Sequence, residues 1–376
     1  MIEMDQKEYS GFGSIERLKG ILEGISPKKI FLVTGKRSYE LSGAKEAMDT
    51  ILQGYETSRF SDLHENPKIE DVEKGIEEFR KQDPDVVIAI GGGSAIDTAK
   101  LINLFAAQSC DARQCFSDMQ MISSRPKPLI AIPTTSGSGS EATHFAVVYA
   151  DGQKKSVAHE HVLPDAAIVD PALTMSLPKS ITASTGIDAL SQAIESYWCI
   201  NSTEDSKELS RKSIRLIMDN LKSAVNNPSR ESRAAMAEAS NLAGKAINIT
   251  KTTAPHAISY SFTTYYNIPH GHAVGLTLGK ILEFNAGVTE EDCNDPRGAG
   301  HVRKSIEEIC SILGAESPQS ARELIESLMR SIGLETDLNK LEIVDVNVIV
   351  DNVNAERLGN NPRKLTKEDL RKMLNQ

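Results

Sequence analysis

The sequence predicts an α/β domain over residues 1–176 joined to an all-helical domain over 177–376. Three observations predict it. Short apolar runs alternate with helical stretches in the first half, those runs end in Gly, Ser or Thr clusters, and strand signals fade from about Ile181 onward. Uninterrupted apolar runs of this length are what parallel strands covered on both faces require.

Taken in order, KIFLVT (Lys29 to Thr34) reads as a strand that passes through GKRS into an amphipathic stretch beginning near Leu41. DVVIAI (Asp85 to Ile90) is the next strand and runs into the helical GGGSAIDTAKLINLFAA. PLIAIPTT (Pro128 to Thr135) precedes the small-residue loop SGSGSE, and AAIVD (Ala166 to Asp170) stops at Pro171. Beyond LPKS the patterns are helical, as in SKELSRKSIRLIMDNLKSAV and SRAAMAEASNLAGKAIN. EIVDVNVIVDNV, near 342–353, is ambiguous: its Ile and Val content suits a strand and its surroundings suit a helix.

Composition narrows the function classes. Net charge is 42 − 52 = −10 with no strong basic block, which argues against nucleic acid as the main partner. The start, MIEMDQKEYS, lacks a signal pattern, and no apolar run reaches membrane-spanning length. Five cysteines (Cys110, Cys115, Cys199, Cys293, Cys310) without CxxC spacing read as reduced thiols, so a soluble cytoplasmic protein is expected.

Ligands of open parallel sheets bind at the carboxyl ends of the strands. In IGGGSAIDTAK, Gly92, Gly93 and Ser94 allow backbone amides to approach a pyrophosphate at a helix N-terminus, with Asp97 one turn on. A tight turn needs one glycine, and three in a row point to phosphate binding, although the spacing matches neither G-x-G-x-x-G nor a P-loop. IPTTSGSGSE adds the hydroxyls of Thr134, Thr135 and Ser138, which suit either a ligand or a capped polar loop. In VTGKRS the tip is Gly35, Lys36 and Arg37, with no carboxylate for a ribose. That favours NADPH and leaves NADH open. In the helical half, Asp188 and Gln192 share a helix face, and His256, His270 and His272 fall within seventeen residues. An Asp with histidines suits a divalent metal.

Together these residues resemble the iron-containing (group III) alcohol dehydrogenase family. GFGS, ENP, GGGSAIDTAK, PTTSGSGSE, LPDAAIVDP, TGIDALSQAIE, PHG and NNPR carry the resemblance across almost the whole chain. It implies a Rossmann-like nucleotide-binding domain followed by a helical metal-binding domain, an architecture shared with dehydroquinate synthase. It also implies NADPH or NADH and a divalent metal, Fe²⁺ first and Zn²⁺ as the alternative. Asp188, His256 and His270 match metal ligands; Gln192 stands where the family has a further histidine. Tyr260 stands where the family often has a histidine near the nicotinamide, which leaves Tyr260, His272 or a water chain to deliver the proton. Asn66, Lys155 and Leu177 match cofactor-contacting positions, and Lys155 is also a catalytic candidate.

GIDALSQAIESYW with KTTAPHAISYSFTTYYNIPHGHAV resembles the branch that reduces phosphonoacetaldehyde to 2-hydroxyethylphosphonate, which also has Gln after DALS. For a phosphonate, Lys154, Lys155, His159, His161 and Arg363 are candidate contacts. The expected partners are a small aldehyde and a second copy of the chain in a homodimer, with neither nucleic acid nor membrane. A reductase of simple aldehydes, such as lactaldehyde or butyraldehyde, is the near alternative; a dehydroquinate synthase-like lyase and a metal-free nucleotide binder are the distant ones.

Overall fold

The structure is a computed structural model that describes residues 6–64, 66–150, 153–353 and 358–375, without the side chain of Gln153. Glu65 of the ENP motif lies outside the described residues. The chain divides into two compact units, Met1–Leu177 and Pro178–Gln376.

The first unit is built on six parallel strands: β1 (Lys7–Ser10), β2 (Lys29–Thr34), β3 (Glu56–Phe60), β4 (Val86–Gly91), β5 (Leu129–Pro133) and β8 (Ala166–Val169). Their order is β1-β8-β5-β4-β2-β3. β6 (Phe145–Ala150) and β7 (Gln153–Ala158) form a separate antiparallel hairpin. Helices α1 (Arg17–Ile25), α2 (Ser38–Leu41), α3 (Ala44–Ile51), α4 (Ile69–Gln82), α5 (Gly93–Ala106) and α6 (Ala112–Ser117) connect them. Alternate residues of β2 and β4 feed opposite cores. Phe31, Val33, Val87 and Ala89 pack with α4 and α5 residues, and Ile30, Leu32, Ile88 and Ile90 pack with those of α1 and α3. Covering both faces is why these strands read as unbroken apolar runs.

The second unit is helical: α7 (Lys179–Trp198), α8 (Glu204–Asn226), α9 (Arg230–Thr250), α10 (Ala254–Tyr266), α11 (His270–Ala286), α12 (Ala299–Leu313), α13 (Pro318–Ser331), α14 (Asn347–Asp351) and α15 (Lys367–Leu374). The ambiguous stretch near 342–353 resolves into the short α14. No described helix is long and apolar enough to cross a membrane.

One expectation is corrected. Cys110 and Cys115 are joined by a disulfide, with Cα atoms 5.9 Å apart, while Cys199, Cys293 and Cys310 are thiols. Asp111 caps α6 by accepting from Gln114 N, and that turn brings the two cysteines together. Thiol usage therefore gives no support to a reducing compartment.

Candidate active site

In the first unit, the predicted cofactor residues gather where β2, β4 and β5 end. Gly92 caps α5, whose first residues are Gly93 and Ser94. A Cβ on Gly93 would lie 2.7 Å from Ser138 Oγ, so only glycine lets the loop after β5 pack on this turn. Thr134 is fully buried, and its Oγ1 has no hydrogen-bond partner among the described residues. Thr135 borders the same turn, with its Cγ2 3.4 Å from a Cβ on Gly92. A bare helix N-terminus, a close glycine turn and a buried hydroxyl awaiting a partner fit the phosphates of a dinucleotide.

The other first-unit candidates are placed differently. Asp97 accepts from Ser140 Oγ and, at 2.9 Å, from Val147 N, so its carboxylate ties α5 to the hairpin. Gly35 follows β2 with the Arg59 guanidinium beside it: Nε donates to Thr34 Oγ1 at 2.8 Å and a terminal nitrogen to Gly35 O at 3.3 Å. Lys36 is exposed and pairs with Asp62 at 3.0 Å. Asn66 is exposed in the loop before α4, and Leu177 is half-buried at the unit's end. The exposed Lys155 places its ammonium 5.2 Å from the centre of the Phe116 ring. His161 N donates to His159 Nδ1 at 3.1 Å. One phosphonate candidate belongs to the second unit, where Arg363 donates to Asp292 at 2.7 Å and lies over the Phe284 ring. Those contacts occupy the Arg363 guanidinium, a candidate for the phosphonate.

In the second unit, α7, α10 and α11 bring Asp188, His256 and His270 together, with one ligand atom from each within 4.8 Å of the others. Asp188 and His256 are buried and His270 half-buried. Gly271 makes this possible: a Cβ there would sit 2.0 Å from Ser184 O and 2.8 Å from Asp188 Cβ. Without one, the first turn of α11 seats directly on α7 and carries His270 to Asp188. Ser259 Oγ donates to His256 O at 2.8 Å and lies 3.4 Å from His270 Nδ1, which orients the second ring.

His256 Nε2 is 3.3 Å from Asp188 Oδ1, and its Nδ1 contacts Glu195. Burial by itself would lower the pKa of this ring, but the Glu195 and Asp188 carboxylates outweigh it and push the value up to about 9. The cluster thus demands positive charge. Donor atoms sharing one ion at about 2.0–2.2 Å are at most about 4.4 Å apart, so a small inward shift would let these residues hold a divalent cation. Gln192 is buried one turn after Asp188 on α7. The Tyr260 ring stacks 6.1 Å from that of His270. His272 turns away, with Nε2 2.6 Å from Glu335 O and its backbone N donating to Ser184 Oγ at 3.2 Å.

Sequence reasoning missed Glu195. The available signal was its position seven residues after Asp188, two turns along the same helix face.

Both units match known family models: iron-containing alcohol dehydrogenase over residues 6–171, and the C-terminal part of that family over 182–376. The chain belongs to the iron-containing alcohol dehydrogenase family. It is an NAD(P)-dependent, metal-using alcohol dehydrogenase or aldehyde reductase, and that membership removes the lyase alternative. The chain is similar to phosphonoacetaldehyde reductase of Streptomyces viridochromogenes, with 32% identity over 83% of this chain and 81% of the relative. It is 29% identical to NADPH-dependent butanol dehydrogenase of Clostridium saccharobutylicum over 97% of this chain and 94% of the relative. Sulfoacetaldehyde reductase from Bifidobacterium kashiwanohense, solved in complex with NAD⁺, superposes with a TM-score of 0.89. It is 30% identical, and the match covers 99% of this chain and 96% of that one.

Proposed function

We propose that the chain reduces a short aldehyde bearing an oxyanion, with phosphonoacetaldehyde giving 2-hydroxyethylphosphonate as the leading candidate. The observation that carries this reading is the pairing of two relatives. One is named for phosphonoacetaldehyde and the other for sulfoacetaldehyde, both two-carbon aldehydes with an anionic head. Gln192, in the DALSQ pattern, supports the same branch.

Asp188, Gln192, His256 and His270 would hold the metal, and Gly92, Gly93, Ser94, Thr134, Thr135 and Ser138 would receive the cofactor phosphates. When bound, the divalent ion supplies Lewis acidity toward a carbonyl oxygen, and the reduced nicotinamide supplies the hydride. Asp188 contributes the negative charge that retains the ion. Gln192 offers a neutral amide oxygen in place of an imidazole, which lowers affinity for softer ions. Tyr260, stacked beside His270, holds a phenolic proton for the product oxygen. His272, anchored on Glu335 O and Ser184, steadies the first turn of α11.

Steady-state kinetics with phosphonoacetaldehyde, sulfoacetaldehyde and propanal, each with NADPH and NADH, test the reading. A higher kcat/KM for the anionic aldehydes is expected; a clear preference for propanal would sink the phosphonate assignment. The similarity to butanol dehydrogenase over nearly the full chain favours the simple-aldehyde alternative, which the same assay decides.

A further inference from the structure

We propose that Glu195 is the positioning residue of the metal site, holding His256 in the one ring form and orientation that presents Nε2 as a ligand. The inference rests on the metal-site reading above and adds a role for a carboxylate that lies outside the donor cluster.

Glu195 is completely buried, and both of its oxygens are engaged by the start of α10. Oε2 contacts His256 Nδ1. Oε1 accepts from Thr253 N at 2.8 Å, Thr253 Oγ1 at 3.1 Å and His256 N at 3.3 Å. Thr253 Oγ1 in turn accepts from Trp198 Nε1 at 2.9 Å. α10 has no side-chain cap of its own, so this carboxylate from α7 stands in for one at the positive end of the helix.

Two consequences follow for the ring. A carboxylate facing Nδ1 accepts a hydrogen bond, so Nδ1 carries the proton, and the neutral imidazole has its lone pair on Nε2. That nitrogen points to Asp188 Oδ1, 3.3 Å away. The same carboxylate grips the backbone of residues 253 and 256, so the ring and the helix that carries it are located by one group. Outer hydrogen-bond partners of this kind change metal affinity by about 10–100-fold when removed.

Glu195→Gln is the informative change. The amide oxygen can still accept from Thr253 and His256 N, while the NH₂ faces Nδ1 as a donor and drives the ring proton to Nε2. Co²⁺ affinity, measured by chelator competition together with the visible Co²⁺ spectrum, should weaken about 10–100-fold with an altered ligand-field band. Thr253→Val serves as the control, because it removes the hydroxyl that braces the cap, with its hydrogen bonds to Glu195 and from Trp198, and leaves the ring contact in place. It should lower the melting temperature of the metal-free protein without changing Co²⁺ affinity. Unchanged Co²⁺ affinity and spectrum in Glu195→Gln would overturn the proposal. So would an equal loss of Co²⁺ binding in Thr253→Val, since capping alone would then account for the effect. If Glu195→Gln does not fold, Glu195→Asp decides: it draws the carboxylate back from Nδ1 by one methylene, so weakened Co²⁺ affinity with an altered band in a folded protein supports the proposal, and wild-type affinity and band overturn it. Failure of the wild-type chain itself to bind Co²⁺ would overturn the underlying metal-site reading, an outcome distinct from all of these.

Discussion

Each unit contains a cluster of charge that the sequence places on a helix, and the two behave oppositely. In the first, Lys100 of α5 is buried, and its ammonium donates to Thr143 O and Phe145 O at 2.7 Å each and to Thr143 Oγ1 at 3.3 Å. Its neighbour Asp97 receives Ser140 Oγ and Val147 N. Donors there meet acceptors, and the cluster closes on itself. In the second, the Asp188 carboxylate oxygen and the ring nitrogens of His256 and His270 converge on one point, with the Glu195 carboxylate against the far side of the His256 ring. Acceptors crowd there, and the arrangement calls for positive charge, either a metal ion or the proton whose retention holds the His256 pKa up at about 9. Buried charge alone therefore does not mark a site; the sign of what faces it does.

The largest expected effect comes from the second cluster. Asp188→Ala should leave less than one equivalent of bound metal by elemental analysis and lower kcat/KM by about 10³-fold or more, since Lewis-acid stabilisation contributes several kcal/mol. Chelator treatment of the wild type should reproduce the loss, and added Fe²⁺ or Zn²⁺ should reverse it. Full metal content in Asp188→Ala would break the contrast between the clusters.

The matching change in the first cluster is Lys100→Met. Two buried carbonyls lose their donor, so the first unit should lose about 3–5 kcal/mol, read as an earlier melting transition, with metal content unchanged. Burial, opposed by Asp97 and Glu141, lowers the Lys100 pKa from 10.5 to about 8. Between those values the unfolded chain binds the proton that the folded chain has released, so this lysine's contribution to stability improves as pH rises from about 8 toward 10.5. The melting difference between wild type and Lys100→Met should accordingly change across that window. A flat difference would mean that the ammonium keeps its proton throughout.

These contrasts also explain what was legible in the sequence. The central strands β2, β4, β5 and β8 were readable because both faces are covered. The edge strands β1 (KEYS) and β3 (ETSRF) are largely exposed, so they need no apolar run and gave no signal. Asp188, His256 and His270 stood out through residue type and motif, yet their meeting depends on the missing side chain of Gly271. Glu195 was invisible because a glutamate on a helix reads as a surface charge, and only tertiary packing buries it. Asp97 differs in another way: its place after the glycine turn suggested a ligand contact, while its oxygens take Ser140 Oγ, in the turn before the hairpin, and Val147 N of the hairpin itself, partners the sequence did not announce.

A smaller effect should come from Gln192→His, which adds an imidazole at the position one turn after Asp188. Zn²⁺ should bind about tenfold more tightly, equivalent to about 1.4 kcal/mol, measured by chelator competition. Unchanged Zn²⁺ affinity would place residue 192 outside the donor set and sharpen the cluster to the two histidines and Asp188.

The smallest effect expected is on cofactor choice, and it should be confined to the first unit. Gly35→Asp puts a carboxylate at the end of β2, where it can accept from a ribose 2′-hydroxyl and repel a 2′-phosphate. The Arg59 guanidinium and Lys36 beside this position are the cations that a 2′-phosphate would meet. A Cβ at 35 would approach Ser38 Oγ to 2.2 Å, but that hydroxyl can rotate away, and Gly35→Ala separates this crowding from the charge. The ratio of kcat/KM for NADPH to that for NADH should fall about tenfold in Gly35→Asp, or about 1.4 kcal/mol, and stay near the wild-type ratio in Gly35→Ala. Bound metal should stay at the wild-type level in both. An equal shift in Gly35→Ala would assign the preference to loop shape, and no shift in either would remove Gly35 from cofactor selection.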